Sequence, residues 1–326
     1  MVKVAVIDVG TVTARLAVSV VEDGHVVSME RRSEIVNLGQ GVDATGVLRE
    51  DAMARLFTVI DSYLEIIARS AVDATCCTMT SAARDARNSD QLVAEFARRG
   101  LVAQVIPGKV EGSLTFLGVA QDFPDTPIIV ADNGGGSTEF ALGTLSGADG
   151  LDLAVVRSIN VGCRRITEKF LQGDGPASSD GLEAAHAFAR DEFSAVSAWA
   201  AETGCKPERL IVTGGTVTTI VALEKELVPY DSSQVHLATL SLGQIGELER
   251  RLAALSVEER AGLPGIQVKR APVILGGVIA VGEVVRAAGF DGLTVSESDL
   301  LVGLSIACAC AAEGTQMPVD WKPRLG

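Results

Sequence analysis

The feature that most constrains the fold is a pattern that occurs twice, as "AVIDVGTVTARLAV" from Ala5 and as "IIVADNGGGSTEFAL" from Ile128. In each copy an apolar run ends in an acid, glycine and small hydroxyl residues follow, and a second apolar run begins. Such runs are typical of strands, and the short segment between them predicts a hairpin turn. We interpret the two copies as a structural duplication, although their sequence identity is slight.

The rest of the chain alternates between strand and helix signals, which indicates an α/β protein with helices on the faces of its sheets. Asp23-Gly24 predicts a hairpin turn, Arg49–Ala68 and "SDQLVAEFARRG" predict helices, and "LVAQVIPG" predicts a strand before the helix "EGSLTFLGVAQDF". The segments "RLIVTGGTVTTIVAL" and "APVILGGVIAVGEVV" each predict a strand, a glycine turn and a helix. Leu300–Ala312 is too short to cross a bilayer and predicts a buried helix.

The segment Pro124-Asp125-Thr126-Pro127 is the best internal boundary, because two prolines within four residues interrupt any regular element. We therefore predict a first domain over residues 1–125 and a second over 126–326. The last helix, at about 297–313, is a candidate to pack back on the first domain. A chain of 326 residues is long enough for each half to bury its own core.

Composition restricts the partners and the compartment. The chain has 28 basic and 42 acidic residues, and the resulting charge of −14 argues against broad binding to DNA or RNA. The N-terminus "MVKVAVIDVG" predicts a strand and no signal peptide. Six cysteines without zinc-site spacing predict reduced, buried thiols in a cytoplasmic protein. Since the longest apolar run is too short to cross a bilayer, no membrane partner is expected. The histidines His25, His186 and His236 lie in separate segments and predict structural roles.

The glycine-rich turn of the second copy predicts a phosphate site, because backbone N–H groups can converge on an oxyanion where no Cβ blocks the approach. A plain hairpin turn is the alternative interpretation. Asp132 and Glu139 would repel phosphate, so one or both are predicted to hold Mg²⁺. The predicted phosphate-binding residues are Gly134, Gly135, Gly136, Ser137 and Thr138.

The first copy offers the same chemistry in "DVGTVTAR". Asp8 is the predicted metal ligand of this loop. The alternative is an aspartate that ends a strand beside a surface arginine. The predicted phosphate-binding residues here are Gly10, Thr11, Thr13 and Arg15.

With both loops in view, the chain resembles the exopolyphosphatase/guanosine pentaphosphate phosphatase (Ppx/GppA) family of the actin-like ATPase superfamily. The resemblance covers nearly the whole chain, in the blocks "VIDVGTVTARL", "TSAARDARN", "IPGKVEGSLTFLGV", "VADNGGGSTEF", "SINVGCRRITEKF", "GGTVTTI" and "KRAPVILGG". It implies two actin-like (ribonuclease H-like) domains with mixed sheets flanked by helices, and a cleft between the domains. It also implies Mg²⁺-dependent hydrolysis of a terminal phosphoanhydride, with Mn²⁺ as an alternative metal, and a homodimer.

The resemblance assigns the catalytic glutamate to Glu111, in "KVEGSLTF". The alternative for Glu111 is an ordinary acid in the first turn of a helix, where the dipole favours it. The block "TSAARDARN" implies that Arg84 binds phosphate, with Arg87 on the same helical face and Asn88 as further candidates. Other candidate cations are Lys109, Arg164, Arg165, Lys269 and Arg270.

The chain departs from the family pattern at two loop positions. Val12 replaces an asparagine in the first loop, and Asn133 replaces an aliphatic residue in the second. Longer relatives carry further helical domains, so we expect weaker binding of long polyphosphate. These departures make substrate affinity and preference the open questions.

Three functional hypotheses follow. The leading one is an exopolyphosphatase acting on inorganic polyphosphate, with guanosine pentaphosphate as the alternative substrate of a 5′-phosphohydrolase. The second is a non-catalytic sensor that binds polyphosphate or guanosine polyphosphates. The third, an ATP-dependent kinase or ATPase, is disfavoured because Glu111 occupies the phosphatase position and "VTGGTVTTI" departs from a sugar-kinase adenine pocket.

Overall fold

The hairpins predicted from the duplicated pattern lie in two separate units of the chain. The structure, a computed structural model, describes residues 1–147 and 150–326. Unit 1 contains Met1–Gln121 and Asp299–Gly326, and unit 2 contains Asp122–Ser298. The predicted turn "SGADG" falls partly on residues 148–149, outside the described residues.

Strands and helices alternate along much of the chain. The strands are β1 (Val2–Val9), β2 (Thr13–Glu22), β3 (His25–Ile35), β4 (Ala74–Met79), β5 (Ala103–Val105), β6 (Ile128–Asn133), β7 (Thr138–Ser146), β8 (Gly150–Ile159), β9 (Arg209–Thr213), β10 (Thr239–Ser241) and β11 (Gly292–Val295). The helices are α1 (Val42–Thr45), α2 (Glu50–Ser70), α3 (Ser81–Asp85), α4 (Ser89–Arg98), α5 (Gly108–Ala120), α6 (Cys163–Phe170), α7 (Ser179–Glu192), α8 (Trp199–Thr203), α9 (Gly215–Glu224), α10 (Ser232–Val235), α11 (Leu242–Ala253), α12 (Val257–Ala261), α13 (Ile274–Ala288) and α14 (Leu300–Glu313). Short 3-10 helices cover Val196–Ala198 and Val268–Arg270.

Five strands of the two sheets have the same arrangement, which supports the duplication, and the sheet of unit 2 adds β10 as a sixth, antiparallel edge strand. The order is β3-β2-β1-β4-β5 in unit 1 and β8-β7-β6-β9-β11-β10 in unit 2. In each sheet an antiparallel hairpin leads into parallel strands, so both sheets are mixed. β1 and β6 are central and almost wholly buried, which explains why their sequences are nearly continuous apolar runs.

Both hairpins close with the same backbone hydrogen bond. The Gly10 N–H donates to the Thr13 carbonyl at 2.9 Å, and the Gly134 N–H donates to the Ser137 carbonyl at 3.0 Å. The duplicated pattern therefore produces the same local backbone turn in both units.

Buried helices complete the two cores. In unit 1 the apolar helices α5 and α14 are buried along most of their lengths, and α14 also packs on β1. In unit 2 the corresponding buried helix is α13. None of the helices within the described residues is long and apolar enough to cross a membrane.

Some predicted elements were wrong. The strand predicted at the start of "APVILGGVIAVGEVV" does not form, and the segment from Ile274 is helix α13. A short apolar run fits a buried strand and a buried helix equally well, because periodicity cannot separate them. The strand predicted in "LVAQVIPG" is limited to Ala103–Val105, and α5 begins at Gly108, three residues before the predicted start.

Candidate active site

In unit 1 the carboxylate of Asp8 is held by Arg15. The two residues lie opposite each other in the β1–β2 register, so their side chains project from the same face of the sheet. Nε and Nη2 of Arg15 both donate to Oδ2 of Asp8, at 3.0 and 2.7 Å. Burial raises the pKa of Asp8, and the positive charge of Arg15 opposes this effect. Oδ1 of Asp8 is buried and makes no hydrogen bond, so one carboxylate oxygen lacks a partner.

Glu111, the predicted catalytic residue, lies in the first turn of α5 and is 7% exposed. Nη1 of Arg84, at the end of α3, donates to Oε2 of Glu111 at 2.5 Å and to the Ile106 carbonyl at 3.0 Å. The charge of Arg84 also acts on Asp8. The structure therefore brings the predicted catalytic acid, two predicted phosphate-binding arginines and one predicted metal ligand together within unit 1.

The first loop adds a buried hydroxyl to this group. Thr11 is 7% exposed, and its Oγ1 makes no hydrogen bond. Its backbone is fixed because the Gly39 N–H donates to the Thr11 carbonyl at 2.9 Å. An unpartnered hydroxyl in a buried loop is costly unless a ligand satisfies it, and this supports a polar ligand at the loop.

In unit 2 the glycine loop is supported from behind by α6. The Cys163 N–H donates to the Gly134 carbonyl at 3.0 Å. The N–H groups of Arg164 and Arg165 donate to the Gly135 carbonyl at 2.9 and 3.2 Å. Nε of the Arg165 side chain donates to the Gly136 carbonyl at 2.8 Å. In a trans peptide the C=O and the following N–H point in opposite directions. The N–H groups of Gly135, Gly136 and Ser137 therefore point away from α6, so the hydrogen bonds to α6 do not occupy them.

Asp132 and Glu139 form the second carboxylate group. They are register partners in β6 and β7, and they are 7% and 2% exposed. Oε1 of Glu139 accepts hydrogen bonds from the hydroxyls of Ser137 (2.8 Å) and Ser158 (2.6 Å). Two buried carboxylates on one face of a sheet repel each other, and a nearby cation relieves this repulsion.

The hydroxyls of the second loop are directed into the protein. Thr138 is fully buried and donates its hydroxyl proton to the Val161 carbonyl at 2.6 Å, while its Oγ1 accepts from Nδ2 of Asn133 at 2.9 Å. Thr138 thus has no proton left for phosphate in this arrangement, because a hydroxyl donates only once. Asn133, which departs from the family pattern, supports the loop from the same side.

The carboxylates fit a magnesium site in which the protein supplies only one or two of the ligands. Among the described residues, no group of three or more His, Cys, Asp or Glu side chains could hold a metal ion. Mg²⁺ commonly takes one or two carboxylates and completes its shell with water and substrate phosphates. The protein ligands of such a site would be the unpartnered Oδ1 of Asp8 in unit 1, or the facing carboxylates of Asp132 and Glu139 in unit 2.

The other candidate cations differ in their placement. Arg270 is 7% exposed and lies over Gly215, where a Cβ would come within 2.5 Å of its Nη1. Arg164 is also buried and pairs with Glu168 at 3.0 Å. Lys109 and Lys269 are exposed.

The prediction that Arg87 shares a helical face with Arg84 is wrong. Helix α3 ends at Asp85, and Nη2 of Arg87 donates to the Thr45 carbonyl at 2.9 Å. Asn88 binds both backbone groups of Leu48, at 2.8 and 3.0 Å. Arg87 and Asn88 therefore hold the segment before α2 in place, whereas Arg84 contacts the predicted catalytic residue.

The cysteines and two of the three histidines have the following surroundings, whereas His25 is exposed on β3. All six cysteines are free thiols. His186 is enclosed by Glu249 and Glu283, and Nδ1 of His236 accepts the Glu297 N–H at 3.2 Å.

Sequence reasoning missed two residues of these groups. Ser158 reaches Glu139 from β8, and no local sequence signal marks such a contact across strands. Asp299 binds Arg15 at 2.7 Å and accepts the Leu301 N–H as the N-cap of α14. An acid directly before an apolar helical run is an N-cap signal, so the cap of α14 was detectable although the ion pair was not.

Comparison with known proteins identifies the family. Residues 17–304 match the Ppx/GppA phosphatase family. Exopolyphosphatase 2 of Mycobacterium tuberculosis is 34% identical over 94% of this chain and 98% of its own length. The crystal structure of the Aquifex aeolicus Ppx/GppA family member is 30% identical, with a TM-score of 0.76, and the match covers 94% of this chain and 97% of that one.

An exopolyphosphatase-like protein of known structure is 28% identical, with a TM-score of 0.83 over 94% of this chain and 97% of its own. The two mixed sheets flanked by helices match these actin-like two-domain structures, which confirms the predicted fold class. The chain belongs to the Ppx/GppA phosphatase family.

Proposed function

We propose that the protein is an exopolyphosphatase, which hydrolyses the terminal phosphoanhydride bond of inorganic polyphosphate and releases orthophosphate. The observation that carries the proposal is the contact between Glu111 and Arg84. It places a buried carboxylate beside a cation suited to a phosphoryl oxygen. The name of the M. tuberculosis relative supports polyphosphate as the substrate.

In the proposed reaction, the guanidinium of Arg84 and the hydroxyl of Thr11, both in unit 1, bind oxygens of the phosphate chain. The N–H groups of Gly135, Gly136 and Ser137 are proposed as a phosphate-binding group of unit 2 in its own right. Glu111 accepts a proton from water, and the water oxygen attacks the terminal phosphorus. The bond to the bridging oxygen breaks, so that orthophosphate and a polyphosphate shorter by one unit leave. Arg84 binds Glu111 before substrate arrives, and a phosphoryl oxygen would compete for its guanidinium and leave the carboxylate available to water.

We also propose that Mg²⁺ is the cofactor, held by Asp8, Asp132 or Glu139 and by phosphate oxygens. A bound Mg²⁺ would neutralise the charge that develops on the transferred phosphoryl group. The facing carboxylates of Asp132 and Glu139 support this assignment because their mutual repulsion favours a cation.

The decisive experiment measures orthophosphate release from polyphosphate with Mg²⁺, in the wild type and in Glu111→Gln. Loss of the general base lowers kcat by about 10²- to 10⁴-fold. Glu50→Gln is the matched control, because Glu50 is an exposed acid in the first turn of α2, and its rate should equal that of the wild type. Equal rates in Glu111→Gln and the wild type would remove Glu111 from the mechanism.

Guanosine pentaphosphate is measured in parallel, since it presents a terminal phosphoanhydride of the same kind. Faster release from this nucleotide would make it the preferred substrate. Tight binding of either compound without any release by the wild type would instead favour the sensor hypothesis.

A further inference from the structure

The carboxylate of Asp299 joins helix α14 to the β1–β2 hairpin within unit 1, in addition to a contact between the hydroxyls of Ser305 and Ser19 at 2.9 Å. Its Oδ1 accepts the Leu301 N–H at 3.0 Å and so caps α14. Its Oδ2 accepts Nη1 of Arg15 at 2.7 Å. The residue is only 7% exposed, so the interaction with Arg15 is weakly screened by water.

The backbone of Asp299 is also fixed against α5, the helix that carries Glu111. A Cβ at Gly118 of α5 would overlap the Asp299 carbonyl oxygen, so the two helices touch through their backbones there. A Cβ at Gly303 of α14 would likewise overlap the Leu114 carbonyl. The position of the Asp299 carboxylate is therefore set by the same helix that positions Glu111.

Arg15 is held along two edges of its planar guanidinium. Nε and Nη2 donate to Oδ2 of Asp8, while Nη1 donates to Asp299. This double attachment leaves little freedom for rotation, because the donors of a guanidinium form a rigid fork. It also directs both bonds from Arg15 to one oxygen of Asp8 and leaves the other, the buried Oδ1, without a hydrogen bond.

We propose that Asp299 is a positioning residue for the phosphate-binding loop of unit 1. By holding Arg15, it fixes which oxygen of Asp8 is available to the ligand, and it couples the hairpin to the helix of Glu111. This inference rests on the function proposed above. Asp299 acts through Arg15 and does not itself contact the substrate.

The simpler alternative is that Asp299 only caps α14. Asparagine caps a helix about as well as aspartate but carries no charge, so Asp299→Asn separates the two roles. Asp231→Asn is the matched control, because Asp231 is the N-cap of α10 and accepts the Ser233 N–H at 3.0 Å.

The measurement is Tm together with KM and kcat for tripolyphosphate. Both variants should keep the wild-type Tm within a few degrees. Loss of a charged hydrogen bond predicts that Asp299→Asn raises KM on the order of tenfold, with a smaller change in kcat. Asp231→Asn should keep both constants. If Asp299→Asn has the KM of the wild type, Asp299 acts only as the N-cap of α14 and the proposal is overturned.

A double variant tests whether Asp299 acts through Arg15. If it does, Asp299→Asn combined with Arg15→Gln should raise KM no more than Arg15→Gln alone. Two effects that multiply would show that the residues act independently, which contradicts the proposal.

A binding measurement keeps this inference separable from the proposed function. Tripolyphosphate should raise Tm in a Glu111→Gln background, and the increase should be smaller when Asp299→Asn is added. If the wild type releases no orthophosphate, the proposed function fails while the Tm series still tests Asp299. If the wild type is active and Asp299→Asn leaves KM and the Tm increase unchanged, only the positioning role fails.

Discussion

The β1–β2 hairpin of unit 1 and the β6–β7 hairpin of unit 2 place a pair of side chains at the same register position. In unit 1 the pair is Asp8 with Arg15, and in unit 2 it is Asp132 with Glu139. In unit 1 the positive charge of Arg15 thus balances the negative charge of Asp8, whereas in unit 2 two negatively charged carboxylates face each other. The same backbone can serve two electrostatic roles when one side chain of the pair changes sign.

The two loops also differ in what lies behind them. The unit 1 loop is held by the extended segment 36–39, in which the Gly39 N–H donates to the Thr11 carbonyl and the N–H groups of Val36 and Asn37 donate to the Val12 carbonyl. The unit 2 loop is held by the first turn of α6, whose orphan N–H groups bind the loop carbonyls. The outward direction of the loop N–H groups in unit 2 is therefore imposed by a neighbouring helix and not by the loop sequence alone.

The largest expected effect is the difference in the free energy of unfolding when the charge of one acid is removed from each register pair. Asp8→Asn should lower the free energy of unfolding by about 3 kcal/mol, because it removes the carboxylate that accepts two charged hydrogen bonds from the partly buried Arg15 and leaves Asp299 as the other acid paired with it. Glu139→Gln should change the free energy by less than about 1 kcal/mol, because a Gln carbonyl can still accept from Ser137 and Ser158 and the repulsion with Asp132 is relieved. The measurement is denaturant unfolding of both variants with EDTA. Equal losses would contradict the difference between the hairpins.

An intermediate effect concerns loop support. Gly162→Ala should cost about 2 kcal/mol, because its Cβ would lie 2.5 Å from the backbone of Gly135 and force α6 away from the loop. Gly10→Ala should cost less, since the nearest atom to its Cβ, the Thr13 carbonyl oxygen, lies at 3.3 Å. Thermal unfolding of the two variants compares the supports directly. A greater loss in Gly10→Ala would contradict the assignment of α6 as the main support.

The smallest expected effect is a pH dependence of the stability of unit 2, which arises at His186 and not at the glycine loop. Hydrogen bonds to Glu249 and Glu283 raise the pKa of His186 to about 9. Glu283 also accepts bonds from Arg190 and Arg286, so it is the centre of a charged group between α7, α11 and α13. A raised pKa means that the stabilisation is complete below the unfolded value of about 6.5 and is lost as pH rises through about 9.

Tm measured against pH tests this expectation. The decrease of Tm at alkaline pH should be shallower in His186→Gln than in the wild type. His25→Gln, at an exposed position of β3, is the control and should follow the wild-type curve. Identical curves for the wild type and His186→Gln would show that His186 adds no stability that depends on pH.

Much of the fold could be read from the sequence because its signals are local. The duplicated pattern predicted both hairpins, and the buried helix at Leu300–Glu313 followed from an apolar run. The strand wrongly predicted before α13 lies in a short apolar run, which fits a buried strand and a buried helix equally well. The roles assigned to Asp8, Glu111, Asp132 and Glu139 stay predictions, as do Mg²⁺, the interdomain cleft, the homodimer and the cytoplasmic location.

By itself, the sequence determined the two loops, their acids and glycines, and the family, since each is written in a contiguous stretch of residues. Tertiary structure decided the partners of those residues: Arg84 for Glu111, Asp299 for Arg15, and Ser158 for Glu139. These contacts join residues from 19 to 284 positions apart. Such pairings depend on how helices and strands pack, and no local pattern of side chains encodes the distance between two charges that meet only after the chain has folded.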